Sequence, residues 1–166
     1  TDAVGINGAV NVVHMLKIDG AAAGGADGLT ISADGCSISN MVVQGFGGAG
    51  LRLTGNGNTI GGSCMTACPG GGVSISGNAG HGILIEGGAS NIVGNCHVEQ
   101  NGGDGVRLGG GATGNSIGGL FGWLGCVIGD SAGAGVRIGD SAGDAATSGN
   151  RIPITTIYAN GGLGID

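Results

Sequence analysis

Between Gly80 and Leu108 the chain reads GHGILIEGGASNIVGNCHVEQNGGDGVRL, and this stretch constrains the rest. Two glycine-flanked triplets, Ile83-Leu84-Ile85 and Val106-Arg107-Leu108, enclose two shorter apolar pieces, Asn91-Ile92-Val93 and Cys96-His97-Val98. In each triplet the outer two side chains share one face and the middle one points away. No helical periodicity connects the pieces. The pattern returns 23 residues after Ile83. Three short strands per return describe one turn of a solenoid, each strand stacking on its counterpart in the next turn.

The same cycle can be laid over most of the chain. First-strand pairs fall at Leu29/Ile31, Leu51/Leu53, Ile83/Ile85, Val106/Leu108 and Val136/Ile138, and another begins at Ile165. Second strands centre on Ile38, Ile60, Val93, Ile117 and Ile152, and third strands end inward at Val43, Ile75, Val98, Ile128 and Ile157. From each of these last five residues to the next first strand the distance is eight residues, without exception. Length varies only at 61–72 (GGSCMTACPGGG), at 118–125 (GGLFGWLG) and at 139–149 (GDSAGDAATSG). The fold class that follows is all-β, a right-handed single-stranded parallel β-helix of about five coils, each with three short strands. Residues 1–28 read as an irregular N-terminal segment or a partial first coil, with Val10, Val12, Leu16 and Ile18 as its strand candidates. Residues 29–166 read as the coils, expected to continue beyond the C-terminus in a longer chain.

Composition agrees with stacked strands. Glycine supplies 44 of 166 residues, but at fixed places beside apolar triplets rather than at random. Hydrophobic residues make up 40% and aromatics 2%, which suits columns of branched aliphatic side chains. A net charge of −6 argues against nucleic acid and anionic membrane surfaces as partners. No apolar run reaches membrane-spanning length and no basic-then-apolar segment marks a signal peptide, although a chain beginning at Thr1 leaves an upstream signal open.

Polar residues recur in step with the strands. Asn58, Asn91, Asn115 and Asn150 each stand two before a second-strand apolar residue, a place taken by Cys36 in the earliest coil. Asn78, Asn101 and Asn160 each stand three after the end of a third strand, with Phe46 and Ser131 as departures. Stacked asparagines satisfy turn backbone groups and pair with the coil above and below.

The recurring N-x-I-G-G, G-N and N-G-G-x-G-φ-x-φ wording, with the closing Asn160-Gly161-Gly162-Leu163-Gly164-Ile165-Asp166, resembles the parallel β-helix repeats of bacterial secreted and surface proteins. That pectin-lyase-like class includes pectin-degrading enzymes. The resemblance covers about residues 27–166 and specifies fold more than function. It implies a secreted or cell-surface location.

Gly80-His81-Gly82 resembles the Gly-His-Gly of polygalacturonases, where paired aspartates on neighbouring coils carry out hydrolysis. Inverting hydrolysis requires two carboxylates roughly 6.5–9.5 Å apart. The preceding coil offers Asn58-Thr59-Ile60, and no Asp-Asp pair occurs in the chain. The equivalent corner positions carry Asp27, Ala49, Asp104, Ala134 and Leu163, so His81 reads as a variable turn residue and no catalytic residue is assigned. The outward middle of the first strands reads Thr30, Arg52, Leu84, Arg107, Arg137 and Asp166. Arg107 and Arg137 should be adjacent at about 4.8 Å coil spacing. They form a candidate site for an acidic sugar, or a solvated face paired with Glu86, Asp104 or Asp140. Of these, Glu86 is expected beside Arg107.

The G-G-D-G-V-R wording is similar to a calcium-binding repeat, but Arg107 and Arg137 occupy the aspartate position and would repel the ion. No metal or other cofactor is expected. Five cysteines fit no disulfide framework. Cys64 and Cys68 are close enough in sequence to close a short disulfide, and with no histidine nearby they make a poor zinc set. Cys96 and Cys126 share an inward slot and read as buried thiols. In the insertions, Met65, Phe121 and Trp123 form a candidate binding lip, for a sugar ring or a neighbouring subunit. The functional expectation is a non-catalytic structural or adhesive module that contacts polysaccharide or neighbouring protein subunits. Its alternative is a polysaccharide lyase or glycoside hydrolase.

Overall fold

The computed structural model describes residues 16–62, 72–119, 125–141 and 143–166. Among the described residues a first strand, β1 (Leu16–Asp19), precedes four coils of three strands each. These are β2 (Leu29–Ile31), β3 (Ser37–Ile38) and β4 (Met41–Gln44), then β5 (Leu51–Leu53), β6 (Thr59–Ile60) and β7 (Val73–Ser76). Next come β8 (Ile83–Glu86), β9 (Ile92–Val93) and β10 (Cys96–Glu99), then β11 (Val106–Gly109), β12 (Ser116–Ile117) and β13 (Cys126–Gly129). A last coil contributes β14 (Val136–Ile138), a bridge from Ser116 to Arg151, and β15 (Thr155–Tyr158). Among the described residues all strand pairing is parallel and joins one coil to the next. Three sheets result, in the orders β14-β11-β8-β5-β2, β12-β9-β6-β3 and β1-β4-β7-β10-β13-β15. The chain is a parallel β-helix.

The register is the one that the apolar spacing predicts. Leu51, Ile83, Val106 and Val136 pair in one column, Leu53, Ile85, Leu108 and Ile138 in the next. Val43, Ile75, Val98, Ile128 and Ile157 form the column of the third sheet, which Ile18 extends at its start. In the middle coils these side chains are fully buried and make one continuous aliphatic core. Each contributes about 1.5–3 kcal/mol of burial free energy before chain entropy is subtracted. Cys96 and Cys126 lie in that core as free thiols, packed as small apolar groups. Towards the last coil burial falls away, and Leu163 and Ile165 are exposed.

The glycine that closes each eight-residue connection has a steric cause. The residue before each first strand is glycine, and a Cβ there would strike the third-strand column. It would lie 2.4 Å from Ile75 at Gly50, from Val98 at Gly82, from Ile128 at Gly105 and from Ile157 at Gly135. At these four positions the corner is too tight for a side chain.

At the corner before the second strands the asparagines hand one hydrogen bond from coil to coil. The N–H of Cys36 donates to Asn58 Oδ1 at 2.7 Å, Asn58 to Asn91 at 2.8 Å, Asn91 to Asn115 at 2.8 Å and Asn115 to Asn150 at 2.9 Å. The side-chain Nδ2 of Asn91 and of Asn115 donates onward to the next asparagine oxygen and back to a carbonyl in the turn after a first strand, Gly55 or Gly88. The second ladder is broken: Phe46 N–H donates to Asn78, Asn78 to Asn101, and then Ser131 to Asn160. Phe46 is buried where an asparagine would stand, its ring against Gly20 and Gly28.

Candidate functional site

The first sheet turns Thr30, Arg52, Leu84, Arg107 and Arg137 outward in one row, so Arg107 and Arg137 are neighbours as expected. Their partners come from the corner that leads into each first strand. Asp104 is buried there, its side chain 5% exposed. Its Oδ1 accepts the N–H of Ala134 at 2.8 Å, and its Oδ2 accepts Arg137 Nε at 3.1 Å. Arg107 Nη1 stands 3.6 Å from the same oxygen. Asp27 repeats the arrangement two coils before His81: Oδ1 accepts the N–H of Ala49 at 2.7 Å and Oδ2 accepts Arg52 Nη1 at 3.2 Å. Each corner aspartate therefore binds the backbone of the following coil with one oxygen and an arginine of that coil with the other.

Outer carboxylates complete the row. Arg52 also pairs with Glu86, Arg107 with Asp140 at 3.1 Å, and Arg137 with Asp166. Asp140 in addition accepts the N–H of Gly110 at 2.8 Å. One correction follows: Glu86, expected beside Arg107, reaches Arg52 instead. Glu86 is in register with Gly109 at the end of its strand, and Arg107 turns to Asp104 and Asp140 on the other side.

His81 occupies the corner place between Ala49 and Asp104. Its Nδ1 accepts the N–H of Asp104 at 2.9 Å, so it does what Asp27 and Asp104 do in their own coils. Burial lowers its pKa, Asp104 opposes that shift, and Arg107 and Arg137 reinforce it. A neutral imidazole with a free Nδ1 lone pair is what the hydrogen bond requires. Both oxygens of the neighbouring Asp104 are already held by Ala134 and Arg137.

Beside this row lies a shallow cavity of about 210 Å³ lined by Arg137, Ile138, Gly139, Asp140, Ser141 and Asp166. Around the three arginines stand five carboxylates, Asp27, Glu86, Asp104, Asp140 and Asp166. An acidic ligand would meet negative surroundings unless it displaced one of them. Among the described residues no group of three His, Cys, Asp or Glu side chains is arranged to hold a metal ion. The lip residues Met65, Phe121 and Trp123, and the Cys64–Cys68 pair, lie outside the described residues.

Asp104, expected from the sequence as one possible partner of the arginines, is the hub of their row. What sequence reasoning missed is its bond to the following coil, for which the available signal was Asp-Gly before a first strand with arginine one coil later: Asp27 with Arg52, Asp104 with Arg137. Tyr158 is a residue that sequence reasoning did not single out. It caps the outer face of the third sheet, its hydroxyl donating to Glu99 Oε1 at 2.7 Å.

The sequence matches no protein-family model and no curated protein. Among solved structures it is similar to the A-module of a mannuronan C-5 epimerase from Azotobacter vinelandii, at 18% identity and a TM-score of 0.47. The similarity covers 84% of this chain and 46% of that one, so the chain spans less than half the length of that module.

Proposed function

We propose that the chain is a non-catalytic structural or adhesive β-helix module of a secreted or cell-surface protein, one that contacts carbohydrate. The observation that supports this reading is how the charged groups of the outer row are spent. Asp27 and Asp104 are tied to the backbone of the following coil and to its arginines, as inter-coil fasteners. Charge-assisted bonds of this kind are roughly twice as strong as neutral ones and hold a fixed geometry. A general acid or base needs a carboxylate free to exchange its proton with substrate, and Asp104 has both oxygens engaged.

A pectin-lyase-like hydrolase or lyase is the second reading, favoured by one observation, His81 within 3.4 Å of the buried Asp104 carboxylate. Incubation of the chain with polygalacturonate, with and without calcium, separates the two. The structural reading expects no unsaturated and no new reducing ends. Release of either, abolished by His81→Ala, overturns it in favour of the enzyme.

A further inference from the structure

The outer face of the third sheet carries two columns of side chains near its last coil: His97, Val127 and Thr156, then Glu99, Gly129 and Tyr158. Tyr158 is the chain's one tyrosine. Its ring folds back across the neighbouring coil. A Cβ at residue 129 would lie 2.5, 2.7 and 2.9 Å from ring atoms Cζ, Cε1 and Cε2. The hydroxyl end is fixed by Glu99, one coil further on. Equivalent places in earlier coils hold Gln44, Ser76 and Glu99, all with side chains. Gly129 sits in a strand and has no positive φ, so its bareness serves the ring and not a turn.

We propose that Tyr158 is a stacking platform for a neutral pyranose ring. The residue is 42% exposed and one of its faces rests on Gly129, which leaves the other open to solvent. A ring held at both ends loses little entropy when a ligand stacks on it. It offers an apolar face to the C–H side of a sugar. In the neighbouring column of the same face His97 and Thr156 are exposed, and their polar groups can meet sugar hydroxyls. The ligand is neutral because the Glu99 carboxylate stands at the hydroxyl end of the ring, accepting the Tyr158 O–H at 2.7 Å, where it would repel a uronate. The proposal rests on the reading of the module as one that contacts carbohydrate, and it gives that contact a place and a ligand class.

The test is calorimetric titration of the full chain with hexamers of β-1,4-linked glucose, of β-1,4-linked mannose and of galacturonate. The ring proton resonances of the single tyrosine are followed in parallel. A neutral hexamer should bind and shift those resonances, with the galacturonate hexamer weaker. Tyr158→Ala should lose about tenfold in affinity, the scale of one aromatic contact. Gly129→Ser should lose about as much by lifting the ring, whereas Tyr158→Phe should retain most of the binding. Arg107→Ala should bind as wild type does. Neutral hexamers that leave the tyrosine resonances unmoved, or that bind Tyr158→Ala unchanged, overturn the platform. If the chain is also inert towards polygalacturonate, the structural reading still stands.

Discussion

At the corner before the second strands, Asn58, Asn91, Asn115 and Asn150 follow one another without a gap. At the corner before the first strands the equivalent places read Asp27, Ala49, His81, Asp104 and Ala134. Both corners solve one problem, a turn N–H that would otherwise lack a partner, the second corner doing so for Ala49, Asp104 and Ala134. Asparagine solves it with donors and acceptors in one neutral group, so copies stack indefinitely. Asn58, Asn91 and Asn115 are completely buried. A carboxylate only accepts, and two of them at about 4.8 Å repel. The aspartates are therefore spaced apart by alanine or histidine, and each needs an arginine outside. The asparagine corner is a sealed ladder. The aspartate corner is a row of separate fasteners whose arginine ends water and salt can reach.

The largest expected effect comes from cutting the sealed ladder. Asn91→Leu removes the acceptor for the Asn58 N–H and the donor to Gly55 and Asn115. With at least two buried groups left unpaired, the loss should be about 3–5 kcal/mol in denaturant unfolding, with little salt dependence. Asp104→Ala should cost less, about 1–3 kcal/mol, because Arg107 and Arg137 are partly exposed and regain water when released. Its cost should shrink as salt rises. Equal losses, or equal salt dependence, would erase the distinction between the two corners.

The asparagine ladder and the aliphatic columns were legible in the sequence because both recur at fixed offsets from the strands. The glycine before each first strand was legible too, although its reason, a collision with Ile75 or its equivalents, needs coordinates. The fasteners were not legible as such. Asp27 and Asp104 are separated by coils that carry Ala49 and His81, so no column of like residues announces them. Their partners lie 25 and 33 residues away. Glu86 was misassigned for a related reason. Sequence places it beside a strand but does not say which of two neighbouring arginines its flexible side chain will reach. Tyr158 went unnoticed because its role depends on a missing side chain, that of Gly129, one coil earlier.

A gain should come from repairing the broken ladder. At the corner after the third strands, Ser131 interrupts the series Asn78, Asn101, Asn160, and its hydroxyl turns to the Gly129 carbonyl. Ser131→Asn would restore an acceptor and a donor at a buried place where the coils on both sides already carry asparagine. It should stabilise the chain by about 1 kcal/mol in thermal or denaturant unfolding. No gain would mean that continuity of the ladder adds nothing beyond its separate bonds.

The smallest effect is one of pH, and it belongs to the aspartate corner alone. Burial lowers the pKa of His81 below its ordinary value of 6.5, and the opposing pull of Asp104 keeps the shift from growing. The unfolded chain then holds the imidazole proton more readily than the folded one. The contribution of His81 to stability is complete above pH 6.5, and it is lost as pH falls from there through the folded-state value. Protonation also places a proton on the Nδ1 that accepts the Asp104 N–H, which breaks that bond. His81→Asn can still offer an oxygen acceptor but cannot titrate. The wild type should therefore lose stability relative to His81→Asn as pH falls from 7 to 5, while the asparagine ladder gives no such slope. Parallel pH profiles for the two proteins would mean that His81 keeps its ordinary proton affinity, and that the two corners differ in salt response but not in response to acid.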